Sequence, residues 1–280
     1  MRYPARPLAG LLAFAALVAG CRAGPDGGTS IGAAPIEGHE VVGLGFAHQL
    51  FVAGEARSGT PQYVFLEGDG RPWSHDGRQP AIDPDPVRTV ARDLAAVQQG
   101  GALVLGRPCY HDRADDPGCG PTLWTSGRYS EPVVNSMVAA LGRALDARPR
   151  RPVVLVGYSG GGVLALLIAH RVPAVRAVVT LAPNLDVDAW TALHRYQPLE
   201  GSLDPLATRH LPSGCEIHIA AEKDRVVPLS LIRSAAEQRQ GALVWVESGA
   251  DHACCWRSRW PALAERVSAQ LESAGCVVTG

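Results

Sequence analysis

The sequence lacks an excess of charge of either sign. Its 26 lysines and arginines are balanced by 27 aspartates and glutamates, which gives a formal net charge of −1 at pH 7. Nucleic-acid-binding domains usually carry a basic patch, and no basic stripe interleaved with aromatic residues is visible here. Internal repeats and heptads are also missing. These absences argue against a nucleic-acid partner, a solenoid and a coiled coil.

The length and the hydrophobic content suit one large α/β domain, or at most two small ones. The chain has 280 residues, of which 46% are hydrophobic, enough to bury a substantial core. We expect a signal peptide over residues 1–20, a flexible tether rich in Gly, Ala and Pro over 21–36, and the folded domain over 37–280.

The first residues have the pattern of an export signal. Arg2 and Arg6 precede an apolar run over residues 8–19, about a dozen residues, which is too short for a membrane span but right for a signal peptide. The following "VAGC" resembles a bacterial lipobox, which implies cleavage before Cys21 and lipid attachment to it. The alternative is an ordinary secretory signal that is cut near Ala23, with no anchor.

Export changes how the cysteines are interpreted. Of the seven cysteines, six remain besides Cys21, and an even number in an oxidising compartment favours disulfides. Cys109 and Cys119 bracket a polar loop and are the expected pair. The other four cannot be paired from the sequence: Cys215, Cys254, Cys255 and Cys276. No second pair with zinc-ligand spacing accompanies the adjacent cysteines, so no metal is predicted.

Strand and helix patterns alternate along the chain. Strands are predicted over 39–54 (one or two strands in a hairpin), 62–70, 102–106, 152–157, 175–183, 215–224 and 242–252. Helices are predicted over 85–101, 130–148, 161–172 and 260–274. Continuous apolar strands separated by helices predict an α/β fold with a mostly parallel, doubly wound sheet. Reacting groups should lie at the carboxyl ends of its strands.

The segment "VGYSGGG" places a serine at a sharp turn between a predicted strand and a predicted helix. Gly157-Tyr158-Ser159-Gly160-Gly161 matches G-x-S-x-G, the nucleophile elbow, in the strand-to-helix context that the motif requires. A phosphate-binding turn would instead carry a lysine or a G-x-G-x-x-G spacing. Ser159 is therefore the candidate nucleophile, and a plain glycine-rich turn is the alternative.

On this motif the chain resembles the α/β-hydrolase superfamily, in its serine esterase and lipase-like members, over residues 39–275. The resemblance implies that an acid and then a histidine follow the serine in the chain. Asp224, in "AAEKDRVVP" after a strand, is similar to the acid-bearing loop of the family. Asp186 and Asp188, after the preceding strand, are its rivals. The base is predicted to be His252, the only histidine that follows Asp224.

The resemblance also implies an oxyanion hole made of backbone N–H groups. The donors would be Gly160 and, by position in "FLEGDGRPW", Asp69. Many relatives have His-Gly where this chain has Glu67-Gly68. An acidic side chain near an oxyanion is unfavourable, so we expect Arg71 or Arg107 to pair with an acid here.

Four aromatic residues are candidates for a substrate pocket, with plain packing as the alternative: Trp73, Tyr110, Trp124 and Tyr158. About thirty residues separate Pro183 from Cys215, where relatives often insert a lid domain. This predicts a short or absent lid.

Together these features predict an exported, lipid-anchored serine hydrolase that cleaves carboxylic esters with Ser159, His252 and Asp224 and without a cofactor. A peptidase or amidase that uses the same triad, and a non-catalytic envelope binding protein, remain alternatives. The expected partners are a small-molecule ester or amide and, through Cys21, a membrane. The oligomeric state stays open.

Overall fold

A computed structural model describes residues 33–212 and 214–277. The predicted signal peptide, the lipidation residue Cys21 and most of the tether lie outside the described residues. The strands are β1 (Ile36–Val42), β2 (Ala47–Ala53), β3 (Gln62–Leu66), β4 (Ala102–Leu105), β5 (Val153–Tyr158), β6 (Val175–Leu181), β7 (Cys215–Ala221) and β8 (Leu243–Glu247). The helices are α1 (Val90–Ala95), α2 (Glu131–Asp146), α3 (Gly160–Ala169), α4 (Val187–His194), α5 (Leu229–Glu237) and α6 (Trp256–Ser273).

All eight strands form one sheet in the order β1-β2-β4-β3-β5-β6-β7-β8. The pairs β1–β2 and β2–β4 are antiparallel, and every other pair is parallel. The predicted hairpin over 39–54 is confirmed as β1 and β2. The strands from β3 to β8 therefore end at one edge of the sheet, where a site is expected.

Helices cover both faces of the sheet because the central strands are apolar on both sides. Val64 and Leu155 belong to the core cluster that includes α2 and α3. Phe65 and Val156, their neighbours in sequence, belong to the opposite cluster, which includes α1 and α6. There the Phe65 ring meets the Trp260 ring edge-on at 5.4 Å between centroids. The predicted doubly wound, mostly parallel sheet is confirmed.

The first helix is shorter than the pattern over 85–101 predicts, since α1 covers only six residues. The Glu67 carboxylate accepts a hydrogen bond from Ala91 N at 2.9 Å and so caps the start of the helix. The preceding residues are held elsewhere, because the Asp85 carboxylate accepts from the backbone N–H groups of His111 and Asp112. Tertiary contacts therefore override helical spacing in this segment.

The last helix begins one turn earlier than predicted, at Trp256 rather than Trp260, and Pro261 lies inside it. Both tryptophans are buried, so their packing against the sheet fixes the first turn. None of the helices in residues 33–212 and 214–277 is long and apolar enough to cross a membrane.

In its described residues, the connection between β6 and β7 contains a single short α-helix, α4, and a 3₁₀ turn over Pro205–Ala207. No lid domain stands between these strands in the described chain. For the described residues, this confirms the predicted short lid.

Candidate active site

Ser159 lies at the junction of β5 and α3 in a strained backbone conformation. Its φ of 50° and ψ of −122° are rare for a residue with a side chain. A Cβ at Gly157 would collide with Gly161 O, and a Cβ at Gly161 would collide with Leu66 O. Glycine is therefore required on both sides, and the tight turn projects the serine from the end of the strand.

Asp224 and His252 lie beside this serine. His252 Nε2 is 3.1 Å from Ser159 Oγ, and His252 Nδ1 is 2.8 Å from Asp224 Oδ2. The other carboxylate oxygen of Asp224 accepts from Val226 N and Val227 N, both at 2.8 Å. These two bonds fix the orientation of the carboxylate. The structure thus brings together the three residues in the hydrogen-bonded chain that a serine nucleophile requires.

The histidine loop is anchored through its own backbone. His252 O accepts a hydrogen bond from Tyr158 Oη at 3.0 Å and another from Trp256 Nε1 at 2.8 Å. Tyr158 directly precedes the nucleophile, and Trp256 begins α6. The base is therefore tied both to the elbow and to a buried helix.

Two other acids, the rival Asp186 and Asp251 next to the histidine in the chain, have structural roles. Asp186 caps α4 by accepting from Ala189 N at 2.9 Å. Asp251 accepts from the backbone N–H groups of Ala253 and Cys254 in a local turn. Of the candidate acids, Asp224 is the one that the structure places against His252.

The loop after β3 packs directly onto the elbow. A Cβ on Gly68 would lie 3.4 Å from the Ser159 Cβ, and a Cβ on Gly160 would collide with the Asp69 carboxylate. The backbone of both segments therefore approaches closely without side chains between them. Gly160 N–H and Asp69 N–H stay the predicted oxyanion donors in this arrangement.

The Asp69 carboxylate is neutralised by two buried guanidinium groups. Arg107 Nη2 lies 2.7 Å and Arg128 Nη1 lies 3.0 Å from its oxygens, and the Tyr129 hydroxyl donates to it at 2.7 Å. Burial opposes ionisation of Asp69, but Arg107 and Arg128 outweigh it and hold its pKa below the usual value. The expected pairing with Arg107 is thus observed.

Arg71 does not contribute to this network, because its guanidinium pairs with the exposed Asp83 at 3.3 Å. Sequence reasoning missed Arg128 and Tyr129. They occupy a separate loop before α2, and nothing in the local pattern distinguishes them from surface residues.

Glu67 is buried below the same loop. Burial raises its pKa to about 7, although the N–H groups of Gly68 and Ala91 donate to its carboxylate and oppose the rise. Glu67 therefore titrates near neutral pH.

A cavity of about 900 Å³ opens beside Ser159 and His252. Tyr158 and Trp73 line it, as two of the four aromatic predictions require. The prediction is wrong for Tyr110 and Trp124, which are 2% and 3% exposed and pack in a separate cluster. Their polar atoms are used there, since Tyr110 Oη donates to Asp69 O and Trp124 Nε1 donates to Ala81 O.

Other residues supply the remaining cavity wall. Trp190 on α4 and Tyr196 just after it line the cavity, and their rings meet at 5.3 Å between centroids. Arginines line it as well: Arg71, Arg88, Arg128 and Arg195. The sequence does not predict that Trp190 and Tyr196 line the pocket, because residues of a connecting segment carry no periodic signal.

Disulfides join Cys109 to Cys119, as predicted, and also Cys215 to Cys276 and Cys254 to Cys255. The last pair follows His252 in the chain. Within the described residues, no group of three or more His, Cys, Asp or Glu side chains is placed to hold a metal ion.

The fold has many solved counterparts. A serine hydrolase homologue from Coxiella burnetii matches with a TM-score of 0.55 and 16% identity, over 84% of this chain and 97% of that one. An esterase from Pyrobaculum calidifontis matches with a TM-score of 0.56 and 15% identity, over 87% of this chain and 86% of that one. A puromycin-hydrolyzing peptidase from Mycobacterium tuberculosis matches with a TM-score of 0.60 and 15% identity, over 85% of this chain but 38% of that one.

No protein-family model matches the sequence, and the search of curated proteins finds no significant match. The likeness to solved structures is therefore one of architecture. It confirms that the described chain has the α/β-hydrolase fold.

Proposed function

We propose that the protein is a serine hydrolase that cleaves carboxylic esters through an acyl-enzyme. The observation that carries this proposal is the hydrogen-bonded chain from Ser159 Oγ to His252 and on to Asp224, at 3.1 and 2.8 Å. Structural counterparts that are hydrolases are consistent with it.

In the proposed mechanism, Ser159 Oγ attacks the ester carbonyl while His252 Nε2 takes its proton. Asp224 stabilises the resulting imidazolium. The N–H groups of Gly160 and Asp69 bind the oxyanion of the tetrahedral intermediate. The intermediate collapses with loss of the alcohol, which receives the proton from His252. Water, activated by the same histidine, then releases the acid and regenerates Ser159.

The acidic residues of the cavity support an ester rather than a peptide with a free amino terminus. Glu67 and Asp69 are the acids among the described lining residues. Asp69 is held by two guanidinium groups, and Glu67 is turned towards backbone N–H groups. Neither carboxylate is available to bind a substrate ammonium group.

A fluorophosphonate probe tests the catalytic proposal, because it reacts covalently with activated serines. We expect labelling of the wild type and none of Ser159→Ala at equal folded concentration. Equal labelling of both proteins, or of neither, would refute it and favour a non-catalytic binding protein. A panel of p-nitrophenyl esters and aminoacyl anilides then separates esterase from amidase activity.

We also propose export and lipid anchoring at Cys21. The three disulfides support an oxidising compartment. Metabolic labelling with palmitate should mark the wild type but not Cys21→Ala. Labelling that survives the substitution contradicts the anchor, whereas export without any label supports an ordinary secretory signal.

A further inference from the structure

The cavity beside Ser159 has an unbalanced positive charge. Four arginines line it, of which Arg71 pairs with Asp83, and the described lining residues include two carboxylates, Glu67 and Asp69. Asp69 is already shared between Arg107 and Arg128, so one negative charge faces two positive charges in that buried network. Glu67 directs its oxygens to the backbone of Gly68 and Ala91.

Arg128 lines the cavity and retains a guanidinium nitrogen that donates to no described residue. Its side chain is 5% exposed, its Nε donates to Thr125 O at 2.7 Å, and its Nη1 donates to Asp69 at 3.0 Å. No described residue accepts from its Nη2. A buried guanidinium that lines a cavity, is held by two hydrogen bonds and keeps a third nitrogen unpaired among the described residues is a preorganised site for an oxyanion.

Two further arginines stand at the exposed part of the same cavity. Neither Arg88 nor Arg195 takes part in an ion pair among the described residues. Burial raises the pKa of the Tyr158 hydroxyl, and the positive charge of Arg88 opposes that rise. Both arginines would attract an anion towards the nucleophile.

Much of the remaining wall is apolar or aromatic and open to solvent. Val87, Tyr196 and Trp73 line the cavity while 78%, 56% and 41% exposed. Such a wall fits the apolar body of a ligand, and the arginines fit a single acidic group on it.

We propose that this hydrolase selects amphiphilic esters that carry an acidic group, a carboxylate or a phosphate, and that Arg128 binds that group while Arg88 and Arg195 attract it. The inference rests on the proposed serine hydrolase function. The acidic group of the substrate would then lie near the scissile carbonyl. This follows because Arg128 forms an ion pair with the side chain of Asp69, and the backbone N–H of Asp69 is a predicted oxyanion donor.

Matched substrate pairs test the preference. Mono-p-nitrophenyl adipate carries a carboxylate on the acyl side and is compared with p-nitrophenyl hexanoate. A second substrate, 4-butyryloxybenzoate, carries the carboxylate on the alcohol side of the ester. It is compared with its neutral methyl ester, methyl 4-butyryloxybenzoate, and cleavage of the butyrate ester is measured in both. After correction for spontaneous hydrolysis, we expect at least one acidic member to have ~10-fold or higher kcat/KM, the order expected for a charge-assisted hydrogen bond.

Variants assign the effect to the arginines. The double variant Arg88→Gln/Arg195→Gln should lower the acidic-to-neutral ratio by about 3- to 10-fold, mainly through KM, and salt should lower it in the wild type. Arg128→Gln should remove most of the preference, with its folding checked by thermal unfolding. The control Arg150→Gln/Arg233→Gln changes two exposed arginines away from the cavity and should leave the ratio unchanged.

Competition separates the two kinds of acidic group. With the neutral hexanoate ester as substrate, adipate and phenyl phosphate are compared as inhibitors, and the stronger one identifies the preferred group. If the wild type cleaves neutral esters equally well and substitutions of Arg88, Arg128 and Arg195 leave the acidic-to-neutral ratio unchanged, the inference is overturned but the serine hydrolase function stands. Absence of Ser159 labelling refutes the proposed function instead.

Discussion

Asp69 and Arg107 form an ion pair of 2.7 Å that is buried directly behind the nucleophile elbow. The carboxylate packs against the Cα of Gly160, so the pair supports the backbone that follows Ser159. Arg128 approaches the other carboxylate oxygen, which leaves one anion between two cations. The charge balance of the two buried guanidinium groups therefore depends on a single carboxylate.

Replacing Asp69 with Asn should destabilise the fold strongly. Two buried guanidinium groups would then face each other without an anion, a situation that costs about 3–5 kcal/mol for a buried pair. The control is Asp83→Asn, which breaks the exposed pair with Arg71 and should cost less than ~1 kcal/mol. Urea unfolding followed by circular dichroism measures both. Equal losses in the two variants would show that Asp69 is not the organising charge.

Glu67→Gln should change how stability depends on pH. The pKa of Glu67 is raised to about 7 from an ordinary 4.5, so the folded state prefers the protonated acid. Its contribution is complete below about pH 4.5 and is lost as the pH rises through 7, by at most about 3 kcal/mol. Because glutamine does not ionise, the stability of Glu67→Gln should not fall in this way as the pH rises.

The measurement is the difference in unfolding free energy between Glu67→Gln and wild type at pH 5, 7 and 9, which are chosen to bracket a pKa of about 7. The difference should move in favour of the variant as the pH rises and then level off. Glu265→Gln, at an exposed position on α6, controls for loss of a surface charge. A difference that is constant with pH would contradict ionisation of Glu67 in this range.

The catalytic candidates were accessible from sequence because each has a local signature. Ser159 follows an apolar strand within a glycine-rich turn, and Asp224 and His252 follow later strands in the expected order. The parallel sheet then brings the ends of these strands to one edge. Their roles as nucleophile, acid and base stay predictions, while their proximity is a structural finding.

Other parts of the site depend on contacts between distant loops. Arg128 and Tyr129 contact Asp69 although they lie 59 and 60 residues away from it in the sequence. Aromatic composition likewise cannot tell a lining residue from a packed one, which is why Tyr110 and Trp124 were misassigned. The short length of α1 also depends on a contact between distant residues. Glu67 caps the start of this helix, and the spacing of apolar residues within 85–101 does not predict that cap.

Asp224→Asn should lower kcat greatly while leaving the fold intact. Asn can still accept from Val226 N and Val227 N, but it cannot stabilise a charged His252. In the serine protease that serves as the reference case, the same change costs about 10⁴-fold in kcat, and we expect a loss of that order here. Asp186→Asn, at the cap of α4, is the matched control and should retain activity. A larger loss from Asp186→Asn would assign the acid to the earlier strand.

Tyr158→Phe should weaken catalysis moderately, because it removes one of the two donors to His252 O. Trp256 Nε1 remains as the second donor, so the loop should loosen rather than detach. We expect kcat/KM to fall by about 3- to 10-fold, since small misplacements of a catalytic base are costly. Tyr63→Phe is the control, because it removes a hydrogen bond to Ser268 away from the cavity and should affect stability alone. Initial rates and thermal unfolding of both variants separate the two effects. Equal activity losses would mean that Tyr158 acts through general stability and not through the position of His252.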